Sequence, residues 1–385
     1  MKRMMMFLTM VCCLLAGVGA CGDDILGPEE SDFQAGVERA GSPEIGLMTW
    51  NLYVGSEIEN IANAGSFEEL VYLAGLEWAA IQATDFRERA EAIADAIVER
   101  NPHAIALQEV SRFTLRAPSI YTGSPGEWVE HTDYLDILLA ELVERGVTYV
   151  PAAVVDNFGL EVPALLGMNP ATDLVDIRLE DMDVVLVRGD LTWHSVVTAN
   201  YDENPSLVVG GQELEITRGY ASAVVEVKGL PYRIVSTHLT PREEGETEQL
   251  AQADELIAWL DGTVIPSFVM GDLNTAPGNT WTDSYGKFTD AGFTDLWTRA
   301  QPGAPGPTCC QDNDLLNPVS ILDRRFDLVF YRNSAAPGEG GIAGNVVAER
   351  LGADPSEKTP SDLWPSDHAG VSALVKPVPG LGQNR

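Results

Sequence analysis

The side chains in this sequence best suited to chemistry stand at or just beyond short apolar runs. Asp272 and Asn274 follow Phe268-Val269-Met270, which reads as a buried strand that stops at Gly271. Two residues apart, they point the same way if the strand geometry continues. A carboxylate beside a carboxamide holds a water or a phosphate oxygen, although Gly-Asp and Asn after a strand are also ordinary turn chemistry. Glu109, after Ile105-Ala106-Leu107-Gln108, is either the solvated end of a strand or a buried ligand. Asp327 stands among Phe326, Leu328, Val329 and Phe330, where a carboxylate is costly unless paired. Asn51, His238 and the adjacent Asp367 and His368 complete the set. The chain has five histidines. His103, His131 and His194 read as solvated residues at a helix end, a helix start and in a loop, which leaves His238 and His368.

The elements that must position these groups alternate in type. Gly46–Tyr53 is a strand that ends in Asn51 and is broken by Gly55. Asp85 caps a helix with Phe86, Ala90, Ile93, Ala94 and Ile97 on one face, and Asn101-Pro102 ends it. A compact strand from Ala104 then delivers Gln108 and Glu109 at its end. Tyr134 to Arg145 reads as a helix, Tyr149 to Val155 as a strand, Asn157 to Leu174 as a long loop and Asp183 to Arg188 as a strand. Gly219–Val227 and Tyr232–Thr237 form a hairpin that leads to His238. A helix with Leu250, Ala253, Ile257 and Leu260 in register stops at Gly262. Asp327 lies inside a strand, Asn345 to Glu349 is another, and Asp367-His368 precede the last. Two halves, each running strand, helix, strand, fit two sheets packed face to face with helices outside, their polar strand ends gathered at one rim.

The first twenty residues do not read as fold. A basic Met1-Lys2-Arg3, an apolar run too short to span a bilayer, and small residues ending in Cys21 resemble a bacterial lipoprotein signal in which Cys21 is lipidated. Residues 21–44 read as a tether, 45–377 as one domain of roughly 330 residues, and 378–385 as a tail. The expectation is an exported monomer, held by its lipid anchor on the cell surface or the periplasmic face. The net charge of −34 argues against a sequence-nonspecific nucleic-acid binder, but not against phosphate chemistry screened by a metal ion. Cys309-Cys310 read as a loop staple, paired or as two thiols. With no histidine near them in sequence, they do not make a zinc site.

Taken together, TWN at 49–51, QE at 108–109, THL at 237–239, GDLN at 271–274, FDLVF at 326–330 and SDH at 366–368 resemble, in order, the endonuclease/exonuclease/phosphatase superfamily. The resemblance covers about Ile45 to Pro377. It implies an α/β four-layer sandwich of two packed mixed sheets flanked by helices, and a divalent ion, Mg²⁺ or else Mn²⁺ or Ca²⁺. It makes Glu109 the principal metal ligand, with Asn51 and Asp367 helping to place the ion. It makes His368 the active-site imidazole paired with Asp327, and His238 a phosphate-binding or leaving-group-protonating residue. Asp272 and Asn274 position or activate water, with the base left open between His368 and Asp272. Arg218, which reads equally as a surface residue, would contact phosphate. Tyr53 departs from the pattern, because some nucleases carry a metal-binding Asp there.

The expected activity is therefore a metal-dependent phosphohydrolase, foremost a phosphodiesterase or endonuclease-like hydrolase. A sphingomyelinase/phospholipase C-like or inositol-phosphate phosphatase activity is the alternative, with a catalytically inactive binding protein further behind. Nucleic acid, a phospholipid headgroup or a small phosphoester would be the substrate.

Overall fold

The computed structural model describes residues 43–209, 211–333 and 341–377. The export signal, nearly all of the tether and the tail expected from the sequence lie outside these residues. In chain order the strands are β1 (Ile45–Asn51), β2 (Ala104–Arg116), β3 (Val129–Asp133), β4 (Tyr149–Leu165), β5 (Leu174–Arg188), β6 (Thr192–Asn200), β7 (Ser206–Val209), β8 (Gln212–Glu215), β9 (Gly219–Val227), β10 (Leu230–His238), β11 (Ser267–Asp272), β12 (Thr294–Asp295), β13 (Asp327–Arg332), β14 (Val347–Leu351) and β15 (Gly370–Val375). One mixed sheet runs β14-β15-β1-β2-β5-β4, with β3 added on β2. A second runs β12-β13-β11-β10-β9-β6, and β7 and β8 form a small separate hairpin.

The period-2 alternation of each strand decides the layering. In β1, Ile45 and Leu47 enter the core between the sheets, while Met48 and Trp50 face the other way. Those residues join Ala90, Ile93 and Ile97 of the helix Phe86–Arg100. In β13, Val329 and Tyr331 face the inter-sheet core, and Leu328 and Phe330 pack with Leu256 and Leu260 of the helix Arg242–Asp261. Strands buried on both faces read as near-continuous apolar runs. The result is the expected α/β four-layer sandwich, two mixed sheets back to back with helices outside.

Several expectations are corrected. β11 does not stop at Gly271 but runs on to Asp272. Glycine is needed there because the parallel neighbour β10 lies so close that a Cβ would overlap the Thr237 carbonyl. β2 does not end at Glu109. It continues to Arg116, with its pairing to β5 interrupted by a bulge between Leu107 and Val110. Of the long loop read from Asn157 to Leu174, the first half, to Leu165, is instead the second half of β4, where Phe158, Leu160, Val162 and Ala164 are buried alternately, and only residues 166–173 connect it to β5. Gly159 and Pro163 had masked that alternation. β5 correspondingly starts at Leu174, β13 starts at Asp327 rather than enclosing it, and β14 lies two residues later than read. The buried face of the helix Arg242–Asp261 is Gln249, Gln252, Ala253, Leu256 and Leu260, with two glutamines in place of Leu250 and Ile257. His103 is half-buried and accepts from Gly46 N at 2.9 Å, while His131 and His194 lie in β3 and β6.

Candidate active site

Topology gathers the polar residues at one rim. β1 and β2 run parallel, with Asn51 opposite Gln108, and β10 and β11 run parallel, with His238 opposite Asp272. β13 is antiparallel to β11, which places Asp327, its first residue, opposite Asp272. β15 is antiparallel to β1, so the loop before it carries Ser366, Asp367 and His368 to the same edge. Ser366 Oγ fixes that loop by donating to Asn51 O at 2.7 Å. Carboxyl ends of adjacent parallel strands are where α/β sheets bind ligands.

Asn51 ties the acidic groups together. Its Nδ2 donates to Glu109 Oε1 at 2.9 Å and lies 3.2 Å from Asp272 Oδ2, while its Oδ1 accepts from Tyr53 N at 2.9 Å. Glu109 also accepts from Val54 N at 2.8 Å, and it sits at the β2 bulge with φ 51°. The bulge is the device that turns Glu109 into the site from the interior of a strand.

Asp272 lies between two imidazoles, its Oδ2 3.4 Å from His238 Nε2 and 3.6 Å from His368 Nε2. His368 Nδ1 donates to Asp327 Oδ2 at 2.7 Å. Burial alone would lower the His368 pKa, but the carboxylates of Asp327, Asp367 and Asp272 overcome it and hold the imidazolium well above its ordinary range. His238 is driven the other way, well below, by burial and by the charges of Arg218 and His368. Arg218 Nη1 is 3.1 Å from His238 Nδ1. Arg218 is thus buried beside His238 rather than on the surface. Asn274 Nδ2 donates to Leu239 O at 2.9 Å and stands 3.1 Å from His238 Nε2, although Asn274 lies past the end of β11 with φ 46°. Burial, helped by Asp327 and Glu109, raises Asp272 to about 6, and burial, helped by Glu109 and Asp272, raises Asp367 to about 7.

The sequence reading missed the supports. Thr308 Oγ1 accepts from both Phe326 N and Asp327 N. Arg89, fully buried on the helix Phe86–Arg100, donates to the carbonyls of Leu52, Tyr53, Thr84 and Pro365, locking the loops that carry Tyr53 and Asp367. Gln249 Nε2 donates to Thr240 O and Asn274 O, holding the GDLN loop. An arginine and two glutamines on the apolar stripes of helices were the available signal. Cys309 and Cys310 are joined as a disulfide, the paired form of the expected loop staple, and the fold sets them beside a histidine distant in sequence. Cys310 Sγ is 3.8 Å from His368 Nε2.

The fold recurs in solved structures. An endonuclease/exonuclease/phosphatase family protein from Leptotrichia buccalis is 15% identical over 86% of this chain and 99% of its own, with TM-score 0.51. The endonuclease/exonuclease/phosphatase from Beutenbergia cavernae is 19% identical over 88% of this chain and 72% of its own, with TM-score 0.50. At these identities the likeness is one of fold. No curated protein matches in sequence. The sequence profile of the Endonuclease/Exonuclease/phosphatase family matches residues 48–368, a span that takes in every residue of the rim from Asn51 to His368. The chain belongs to the endonuclease/exonuclease/phosphatase family, whose members are typically phosphoester hydrolases.

Proposed function

We propose that this protein is a divalent-metal-dependent phosphodiesterase that cleaves P–O bonds by in-line attack of water. We further propose that it is exported and held at the cell surface by a lipid on Cys21. The observation that carries the catalytic reading is the placement of one carboxylate, Asp272, within 3.4 and 3.6 Å of two imidazoles with opposite charge tendencies. Pairs of titratable groups pushed apart by their surroundings mark an acid and a base. Asp272, raised to about 6, accepts the proton of the attacking water near neutral pH. His368, kept charged by Asp327, faces the phosphoryl oxygens or the departing oxygen with Nε2. Neutral His238 and the Asn274 amide donate to phosphate from the other side, backed by Arg218.

The donors fit a hard divalent ion. Glu109 and Asp367 bring half-buried carboxylates to the wall of one cavity, and desolvation beside Glu109 pushes Asp367 up to about 7, a strain that a cation relieves. Oxygen donors without thiolate suit Mg²⁺, Mn²⁺ or Ca²⁺. Glu109 and Asp367 would hold the ion, with Asn51 orienting Glu109, and Tyr53 supplies no carboxylate. A divalent ion held by these residues would supply charge neutralisation on the phosphoryl group.

The test is a substrate panel with Mg²⁺, Mn²⁺ or EDTA, containing plasmid DNA, RNA, phospholipids, inositol phosphates and bis-p-nitrophenyl phosphate. Turnover that depends on the ion and collapses in His368→Ala supports the reading. Turnover that survives unchanged in His368→Ala removes this site from the chemistry.

A further inference from the structure

Beside the catalytic residues lies a cavity of about 440 Å³ that shares Glu109, Asp367, Tyr53 and Arg218 with them. It extends away from the rim, under the β7–β8 hairpin. That volume falls in the range of small-molecule pockets. Its walls are of two kinds. Phe158, Leu160, Leu179, Leu207, Val209 and Ile216 make an apolar side. Glu57, Glu59, Asp181 and Glu244 add carboxylates beyond those assigned to the ion. Among the described residues that line it, Arg218 is the only lysine or arginine, and it already faces His238 and, at 4.0 Å, Glu244.

Asp181 is the group that points to a ligand. It is 7% exposed, faces the cavity, and its Oδ2 has no hydrogen-bond partner. Two residues along β5 on the same face, Asp183 is fully buried, beside the Asn157 side chain and the His238 backbone. Native interiors pair nearly all buried polar atoms, and Arg218, the cation whose charge acts on Asp181, is engaged at His238 and Glu244. Burial and the neighbouring Asp183 accordingly hold Asp181 well above the usual carboxylate range. An apolar wall facing an unsatisfied carboxylate suits a chain that is hydrocarbon along its length and positive at one end. A polynucleotide strand fits it poorly, because its next phosphate would meet carboxylates. The net charge of −34 favours the same choice between ligands.

We propose that this cavity receives one ester arm of the substrate, and that the arm is an apolar chain carrying an ammonium group that pairs with Asp181. This assignment rests on the phosphohydrolase reading for the position of the phosphate and adds the class of the group esterified to it.

The experiment uses phosphate monoesters as probes, so that the phosphate occupies the site and only the arm varies. Binding of aminohexyl phosphate, hexyl phosphate and a nucleoside monophosphate to the full chain is measured by calorimetry with Mg²⁺. Turnover of bis-p-nitrophenyl phosphate is followed in parallel. Aminohexyl phosphate is expected to bind about ten-fold more tightly than hexyl phosphate, the worth of one charge-assisted hydrogen bond. Asp181→Asn brings the two affinities together. Leu207→Lys, on the peripheral hairpin, supplies a competing cation and does the same if Asp181→Asn fails to fold. Equal affinities in the wild type, or tightest binding by the nucleotide, overturns the assignment. If bis-p-nitrophenyl phosphate is hydrolysed while the amine preference is missing, the cavity assignment alone fails. If the preference is present without any hydrolysis, the hydrolytic reading fails, and what stands is a binding site for an ammonium-bearing phosphate ester.

Discussion

His368 Nδ1 and Asp327 Oδ2 are 2.7 Å apart, yet they come from different sheets, Asp327 opening β13 and His368 standing just before β15. The pair closes the two layers over Asp272 and sets the imidazole that faces it. Asp327→Asn keeps the shape but removes the charge that holds the proton on His368. Its hydrolytic rate should fall roughly a hundred-fold or more, with KM changed far less than kcat. Steady-state kinetics on bis-p-nitrophenyl phosphate measures this, and a change confined to KM would show that the pair serves only binding.

Glu109 reaches the site only because β2 bulges at that point. Glu109→Gln retains the hydrogen bond with Val54 N but loses a charge on the ion. Activity is expected to drop steeply, and the Mg²⁺ concentration for half-maximal rate to rise about ten-fold or more. Titration of the rate with Mg²⁺ reads it directly. An unchanged Mg²⁺ dependence would remove Glu109 from the metal site.

Stability in chelator should fall as pH rises. Asp272 and Asp367 titrate at about 6 and about 7 in the folded chain against 3.8 ordinarily. The folded state therefore binds more protons than the unfolded state between about pH 4 and 7, and unfolding free energy declines across that window. His238, lowered in the folded state, works in the opposite sense below its ordinary value of 6.5 and partly offsets the slope. Asp367→Asn should flatten the decline of Tm with pH in EDTA, and Mg²⁺ should flatten it for the wild type. A wild-type Tm that rises through the window, or an Asp367→Asn slope equal to it, contradicts the assignment.

Arg89 holds four backbone carbonyls with no exposure to solvent. Arg89→Met keeps much of the volume and leaves those acceptors unsatisfied, which should cost about 3 kcal/mol or more. Urea unfolding measures the loss. Activity should fall as well at temperatures where the variant is folded, because the loops bearing Tyr53 and Asp367 are released.

Gly271→Ala should destabilise by about 3 kcal/mol, since the new methyl meets the Thr237 carbonyl on the adjacent strand. Thermal unfolding checks it, and a shift in Tm of less than about 2 °C would show that β10 and β11 separate more easily than their parallel pairing indicates.

The sequence by itself determined the identities and the order of the groups at the rim. An aspartate in Phe326–Phe330 is costly where it stands unless paired, and Asn51 ends an apolar strand, so the local pattern marked them. It also determined most of the layering, because helices of period 3.6 and strands of period 2 declare their buried faces within a few residues. It did not carry the length of β4, where Gly159 and Pro163 hide the alternation of Phe158, Leu160, Val162 and Ala164. Nor did it carry the bulge that turns Glu109 inward, since a bulge is a mismatch between two strands and belongs to neither alone. Only the tertiary structure placed Asp272 between His238 and His368, set Cys310 beside His368, and left Asp181 unpartnered at the cavity wall. These are relationships between segments tens to hundreds of residues apart. Their energies depend on distance and burial, which no local run of residues encodes.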